Sequence, residues 1–132
     1  MDLHQYFDKA KGRGVLATAD GEGKVDAAVY AKPHFMEDGT IAFIMADRLT
    51  HHNLQSNDHA AYLFMEEGPG YKGKRLFLTK LREEKDSDLL YSIRSKRYAS
   101  EKEEGKPRFL VFFKIEQVLP LIGEGGGSDD LE

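Results

Sequence analysis

The chain has 132 residues, 40% hydrophobic and 32% charged, with neither Cys nor Trp. That length fits one domain around one core, and the missing Cys excludes disulfides, Cys-ligated zinc, iron–sulfur clusters and a thiol nucleophile. The formal net charge is −4, but residues 123–132 hold Glu124, Asp129, Asp130 and Glu132 without a base, so the body is formally neutral and lacks the basic excess of a general nucleic-acid binder.

Residues 2–11 are predicted as a helix, with Leu3, Tyr6, Phe7 and Ala10 at helical spacing behind the cap Asp2. Gly12 and Gly14 end it. Strands over 15–19 and 25–31 flank Asp20-Gly21-Glu22-Gly23 as a hairpin, and Pro33 closes the second. An apolar third strand over 40–45 follows the Asp38-Gly39 turn. Residues 47–57 read as a short helix with Thr50 as N-cap. A fourth strand over 59–65, a loop over 68–73 and a fifth strand over 75–81 come next. Residues 83–98 form a charged amphipathic pattern, with acids early and bases late, whose Leu89, Leu90 and Ile93 face the core. A charged loop over 100–106 leads to a long sixth strand over 108–119.

Helices do not alternate with strands as a parallel sheet requires. The pattern predicts a mainly β fold, a small antiparallel barrel of six strands with helices at its ends. Residues 1–122 form its single domain and 123–132 a flexible acidic tail. The longest apolar run, 41–46, is too short to span a bilayer, and the N-terminus lacks a signal-peptide pattern. A soluble cytoplasmic protein with no membrane partner is expected.

The most informative segment runs from Ile41 to Leu54, where an apolar strand delivers the chain to a helix start. Unpaired N–H groups and the positive dipole end make such a start a seat for phosphate. Arg48 and the Thr50 hydroxyl stand beside it, with His51 and His52 in the first turn. An ordinary capped helix with solvated polar residues presents the same pattern. Adjacent helical histidines point roughly 100° apart and no HExxH spacing occurs, so no metal site is expected. In the run Lys72, Lys74, Arg75, Lys80 and Arg82, strand alternation puts Lys74, Lys80 and Arg82 on one face and Arg75 on the other. There is no GxSxG or P-loop, and no catalytic side chain is singled out.

In this combination the chain resembles the pyridoxamine 5′-phosphate oxidase-like family, the FMN-binding split barrels. The matching pieces are GVLATAD, VDAAVYAKPHF, EDGTIAFIMAD, LTHHNLQSNDHAAYLF and GKRLFLTK. The most specific part is the polar turn, the short helix with Asn53-Leu54, then Asn57-Asp58 and an apolar strand. The resemblance implies a six-stranded antiparallel split barrel of Greek-key type that binds FMN. It implies that Tyr30, Ala31 and Lys32 run past the flavin and that Ile44, Met45 and Ala46 lie by its ring or ribityl chain. Arg48, Thr50, His51 and Asn53 would hold the phosphate region, and Arg75 would reach the flavin. It further implies a homodimer with FMN at the subunit interface, serving as a small flavin oxidoreductase or electron carrier for an unknown redox partner. Two departures qualify this. Leu49 and Thr50 stand where the family usually has Lys or Arg, which leaves open a deazaflavin, haem through a histidine, or a non-catalytic relative without FMN. The Trp- and Arg-containing substrate segment is missing, so a true vitamin B6 oxidase is not expected.

Overall fold

The computed structural model describes residues 2–97 and 106–124. Helix α1 (Leu3–Lys9) starts with a capping box: the Asp2 carboxylate accepts from the Gln5 N–H at 2.8 Å, and the Gln5 side chain accepts from the Asp2 N–H at 3.1 Å. Strands β1 (Gly12–Ala19) and β2 (Val25–Tyr30) form the expected hairpin. Asp20 organises its turn by accepting from the N–H groups of Glu22 and Lys24, both at 2.9 Å. Then come β3 (His34–Phe35), β4 (Ile41–Ala46), α2 (Leu49–Ser56), β5 (His59–Glu66), β6 (Gly73–Lys85), α3 (Asp88–Arg97) and β7 (Arg108–Pro120).

The strands make one antiparallel sheet in the order β2-β1-β5-β6-β7-β4-β3, curled into a half-barrel. Helix α2 carries the chain from β4, near one end of the sheet, to β5 near the other, and touches β1, β2 and β4 on the way. The main core fills the concave face with Leu16, Phe43, Tyr62, Phe64, Leu76 and Phe113, closed by Phe7 of α1. On the convex side, Leu90 of α3 covers Ala42, Leu110 and Phe112.

Three expectations are corrected. The sheet has seven strands rather than six, because β2 stops pairing with β1 at Tyr30 and, past Pro33, His34 and Phe35 pair with Ala42 and Ile41 of β4. The helix expected from residue 83 starts only at Asp88. Residues 83–85 continue β6, with Glu83 opposite Val111 and Lys85 opposite Phe109, since the 13-residue β7 offers hydrogen-bond partners along the whole length. Asp86, at φ +49°, makes the corner instead. Alternation in the basic run also fails, because Leu81 is a bulge that shifts the register between Lys80 and Arg82. Lys80 turns inward to Glu83 at 2.9 Å, and Arg82 lies over the Phe112 ring. Residues 98–105, with the end of the expected helix and most of the charged loop, and residues 125–132 of the expected tail, lie outside the described residues.

Candidate functional site

The sheet does not close. Strand β2 pairs only with β1, and β3 covers β4 only at Ile41 and Ala42. The outer edges of β2 and of residues 43–46 therefore have no strand partner among the described residues, although the Tyr30 carbonyl accepts from Tyr62 and the Ala46 carbonyl from the Arg48 N–H. A cavity of about 480 Å³ occupies this seam, lined by both edges, the start of α2, Arg94 of α3 and Arg108 of β7.

Helix α2 is capped two residues earlier than expected. Its N-cap is Arg48, not Thr50: the Arg48 carbonyl already accepts from the His52 N–H at 2.9 Å, so Thr50 is inside the first turn. No side chain caps this helix and no acid occupies its first turn. Its leading N–H groups therefore have no side-chain cap, and the Arg48 side chain lies in the same cavity wall. Thr50 is 5% exposed and its side chain hydrogen-bonds to the Tyr30 phenol. Burial pushes that phenol above its ordinary range, while the Thr50 bond and the Arg48 charge act in the opposite direction. The Tyr30 ring meets Phe43 edge-on at 6.0 Å and so bridges the two sides of the seam.

Of the residues singled out in the sequence, Tyr30, Ala31, Lys32, Ile44, Met45, Ala46, Arg48 and Thr50 all line this cavity. The other three have side chains engaged outside it. His51 lies flat on Phe109, with ring centroids 3.7 Å apart, and meets Glu83 at 2.9 Å and Asp47 at 3.6 Å. The Asn53 amide donates to the Thr18 hydroxyl at 3.1 Å, tying α2 to β1. Arg75 donates to the carbonyls of Pro120, at 2.9 Å, and Gly123, closing the end of β7. Lys32 is anchored: its ammonium donates to the Phe7 and Ala10 carbonyls, both at 2.8 Å, at the C-terminal end of α1 where a cation is favoured.

Arg94 and Arg108 were not read as site residues, and neither lies near a motif that marks it. Folding brings them to the same cavity, whose lining among the described residues holds Lys32, Arg48, Arg94, Arg108 and one acid, Asp26. A concave lining of this composition favours anions. Among the described residues no group of three or more His, Cys, Asp or Glu can hold a metal ion, and no helix is long and apolar enough to cross a membrane.

The His51 contacts anchor α2 and have a pH signature. Glu83 is partly desolvated, which raises its carboxyl, but hydrogen bonds from His51, Gln55 and Lys80 outweigh burial and hold it down at about 2. A carboxylate lowered in the folded state stabilises the fold above its unfolded value, here 4.5, and that contribution is lost as pH falls toward 2. The side chain is only 24% exposed, so an effect on the order of 3 kcal/mol is expected. Urea midpoints measured between pH 6 and about 2.5 should fall more steeply for the native chain than for Glu83→Gln.

No known family profile and no curated protein matches the chain. Solved structures do. HupZ of Group A Streptococcus is 18% identical and aligns over 96% of this chain and 100% of its own, with a TM-score of 0.69. An FMN-binding protein of Syntrophomonas wolfei is 21% identical over 87% of this chain and 80% of its own, with a TM-score of 0.66. A candidate pyridoxamine 5′-phosphate oxidase of Lactobacillus delbrueckii is 17% identical over 90% of this chain and 93% of its own, with a TM-score of 0.65. With its open antiparallel half-barrel and these likenesses over most of its length, the chain has the fold of these proteins, an FMN-binding protein and a candidate pyridoxamine 5′-phosphate oxidase among them.

Proposed function

We propose that the seam cavity binds FMN and that the chain acts, as a homodimer, as a small flavin oxidoreductase or electron carrier. The observation that carries this reading is the pairing of an uncapped helix N-terminus with Arg48, Arg94 and Arg108 in one cavity whose long walls are two unpaired strand edges. The first arrangement suits a phosphate. The second offers main-chain donors and acceptors to the polar edge of a flat heterocycle, with Tyr30, Ala31, Ile44, Met45 and Ala46 as the surrounding wall. Leu49 and Thr50 hold no charge where relatives usually have Lys or Arg, and the arginines from β7, α3 and the residue before Leu49 supply it instead. When bound, the isoalloxazine supplies hydride or electron transfer; the chain binds it, orients it and places the Lys32 charge in the same wall.

The dimer reading rests on the convex face. Val15 and Leu63 lie in register with Val29, before Arg75 interrupts the row, and Ala17, Ala61 and Phe77 lie in register with Ala27. At its edge Val25 and Val29 are 82% and 80% exposed. An apolar edge strand left uncovered is an aggregation hazard, and a second copy related by a two-fold axis covers it. Val25→Glu with Ala27→Glu should convert the dimer to monomer in sedimentation velocity; a monomeric native chain overturns this part.

The purified protein should show flavin absorption bands and release a compound with the mass of FMN. Colourless protein whose spectrum and fluorescence response are unchanged by added FMN would overturn the cofactor assignment and point to a non-catalytic relative.

A further inference from the structure

We infer that a second cleft, on the other side of Lys32 from the seam, binds a small planar aromatic anion. The cleft measures about 460 Å³ and lies between α1, the segment from Lys32 to Met36, and α3. Two of its residues, Lys32 and His34, also line the seam cavity, so an occupant sits next to whatever the seam holds.

Its shape selects a flat ring. The His4 imidazole stacks on Phe35, centroids 4.7 Å apart and planes 14° from parallel, which makes a flat aromatic surface. Met36, Leu89 and Ile93 add aliphatic lining. Leu89 is 41% exposed, and a ring in the cleft would remove that apolar area from water.

Its charge selects an anion. Lys32 is held by two carbonyls, which fix the ammonium without neutralising it. An ammonium has three donors, and these bonds use two. The one acid in the lining, Asp8, has a side chain 69% exposed and lies 3.7 Å from His4, so water and the imidazole screen it at the rim. A carboxylate or sulfonate therefore points inward to Lys32, with the ring against the stacked His4–Phe35 pair. Binding here does not depend on the seam holding a flavin.

The probe is 8-anilinonaphthalene-1-sulfonate, titrated by fluorescence into the full chain with and without saturating FMN. Saturable one-site binding is expected. Leu89→Glu, at the rim, and Ile93→Glu, on the same wall, should each weaken it at least about tenfold by placing like charge beside the sulfonate. Lys32→Met should weaken it about tenfold while leaving the neutral N-phenyl-1-naphthylamine within about twofold, because only the sulfonate uses the ammonium. Leu81→Glu, at the exposed bulge of β6, should change nothing. Binding that survives both wall substitutions, is lost with Leu81→Glu, or is displaced by FMN overturns the proposal. Should FMN fail to bind at all, the wall and Lys32 variants still decide the question.

Discussion

Replacing Arg48 and Thr50 together by Ala is expected to weaken FMN binding on the order of 100-fold while changing riboflavin binding by less than about threefold. The two ligands share the ring and ribityl chain and differ only in the phosphate, so the ratio isolates the phosphate seat. Arg48 lines the cavity at the uncapped start of α2, and its loss removes a charge-assisted bond of about 1.5–3 kcal/mol. Thr50→Ala also removes the bond to the Tyr30 phenol, but any shift of Tyr30 reaches both ligands equally and cancels in the ratio. The FMN affinity of the native chain should fall with added salt and that of riboflavin should not, because only the former depends on the cationic wall. Equal losses for the two ligands in the double variant would place the phosphate elsewhere.

A second large effect is expected far from any charge. A Cβ at Gly14 would lie 1.9 Å from the Tyr62 hydroxyl oxygen and 2.3 Å from the ring carbon that bears it. Tyr62 is fully buried among aromatic core residues and has no space into which to retreat. Its hydroxyl donates to the carbonyls of Tyr30 and Ala31, at 3.3 and 3.1 Å, so this contact also sets the end of β2 where the chain enters the seam wall. Gly14→Ala should therefore destabilise by about 3 kcal/mol, the upper part of the usual overpacking range. It should also loosen whatever the seam binds. Urea unfolding checks the first, and a double-mutant cycle with Tyr62→Leu checks the cause. In the Tyr62→Leu background the added methyl should cost clearly less, since the clashing ring atoms are gone. Additive costs would show that the strain lies in the β1 backbone instead.

Both predictions depend on positions whose importance has different origins. The Arg48 region is legible in the chain because a helix start is a local object: apolar strand, polar turn and helix follow one another within 14 residues, from Ile41 to Leu54. The same holds for the Asp20–Gly23 turn and for the α1 cap, which involve neighbours at most four positions apart. His51 shows where local reading stops. Its place in the first turn suggested a ligand-facing ring, whereas packing turns it inward onto Phe109 of β7 and Glu83 of β6, more than 30 residues away. Residues 83–85 failed in the same way, because a helical charge pattern is weaker than the continuous hydrogen-bond ladder that β7 offers.

The amino-acid sequence by itself determined the antiparallel β character and the short helix that follows an apolar strand, because alternation and turns act over a few residues, while its resemblance to the split barrels pointed to most of the eight expected residues that line the seam. Only the tertiary structure decided that Arg94 and Arg108 join that cavity, that His51, Asn53 and Arg75 engage groups outside it, and that the sheet stays open between β2 and β4. Those outcomes rest on long-range strand pairing and side-chain packing, whose partners are separated along the chain and leave no periodic trace in it.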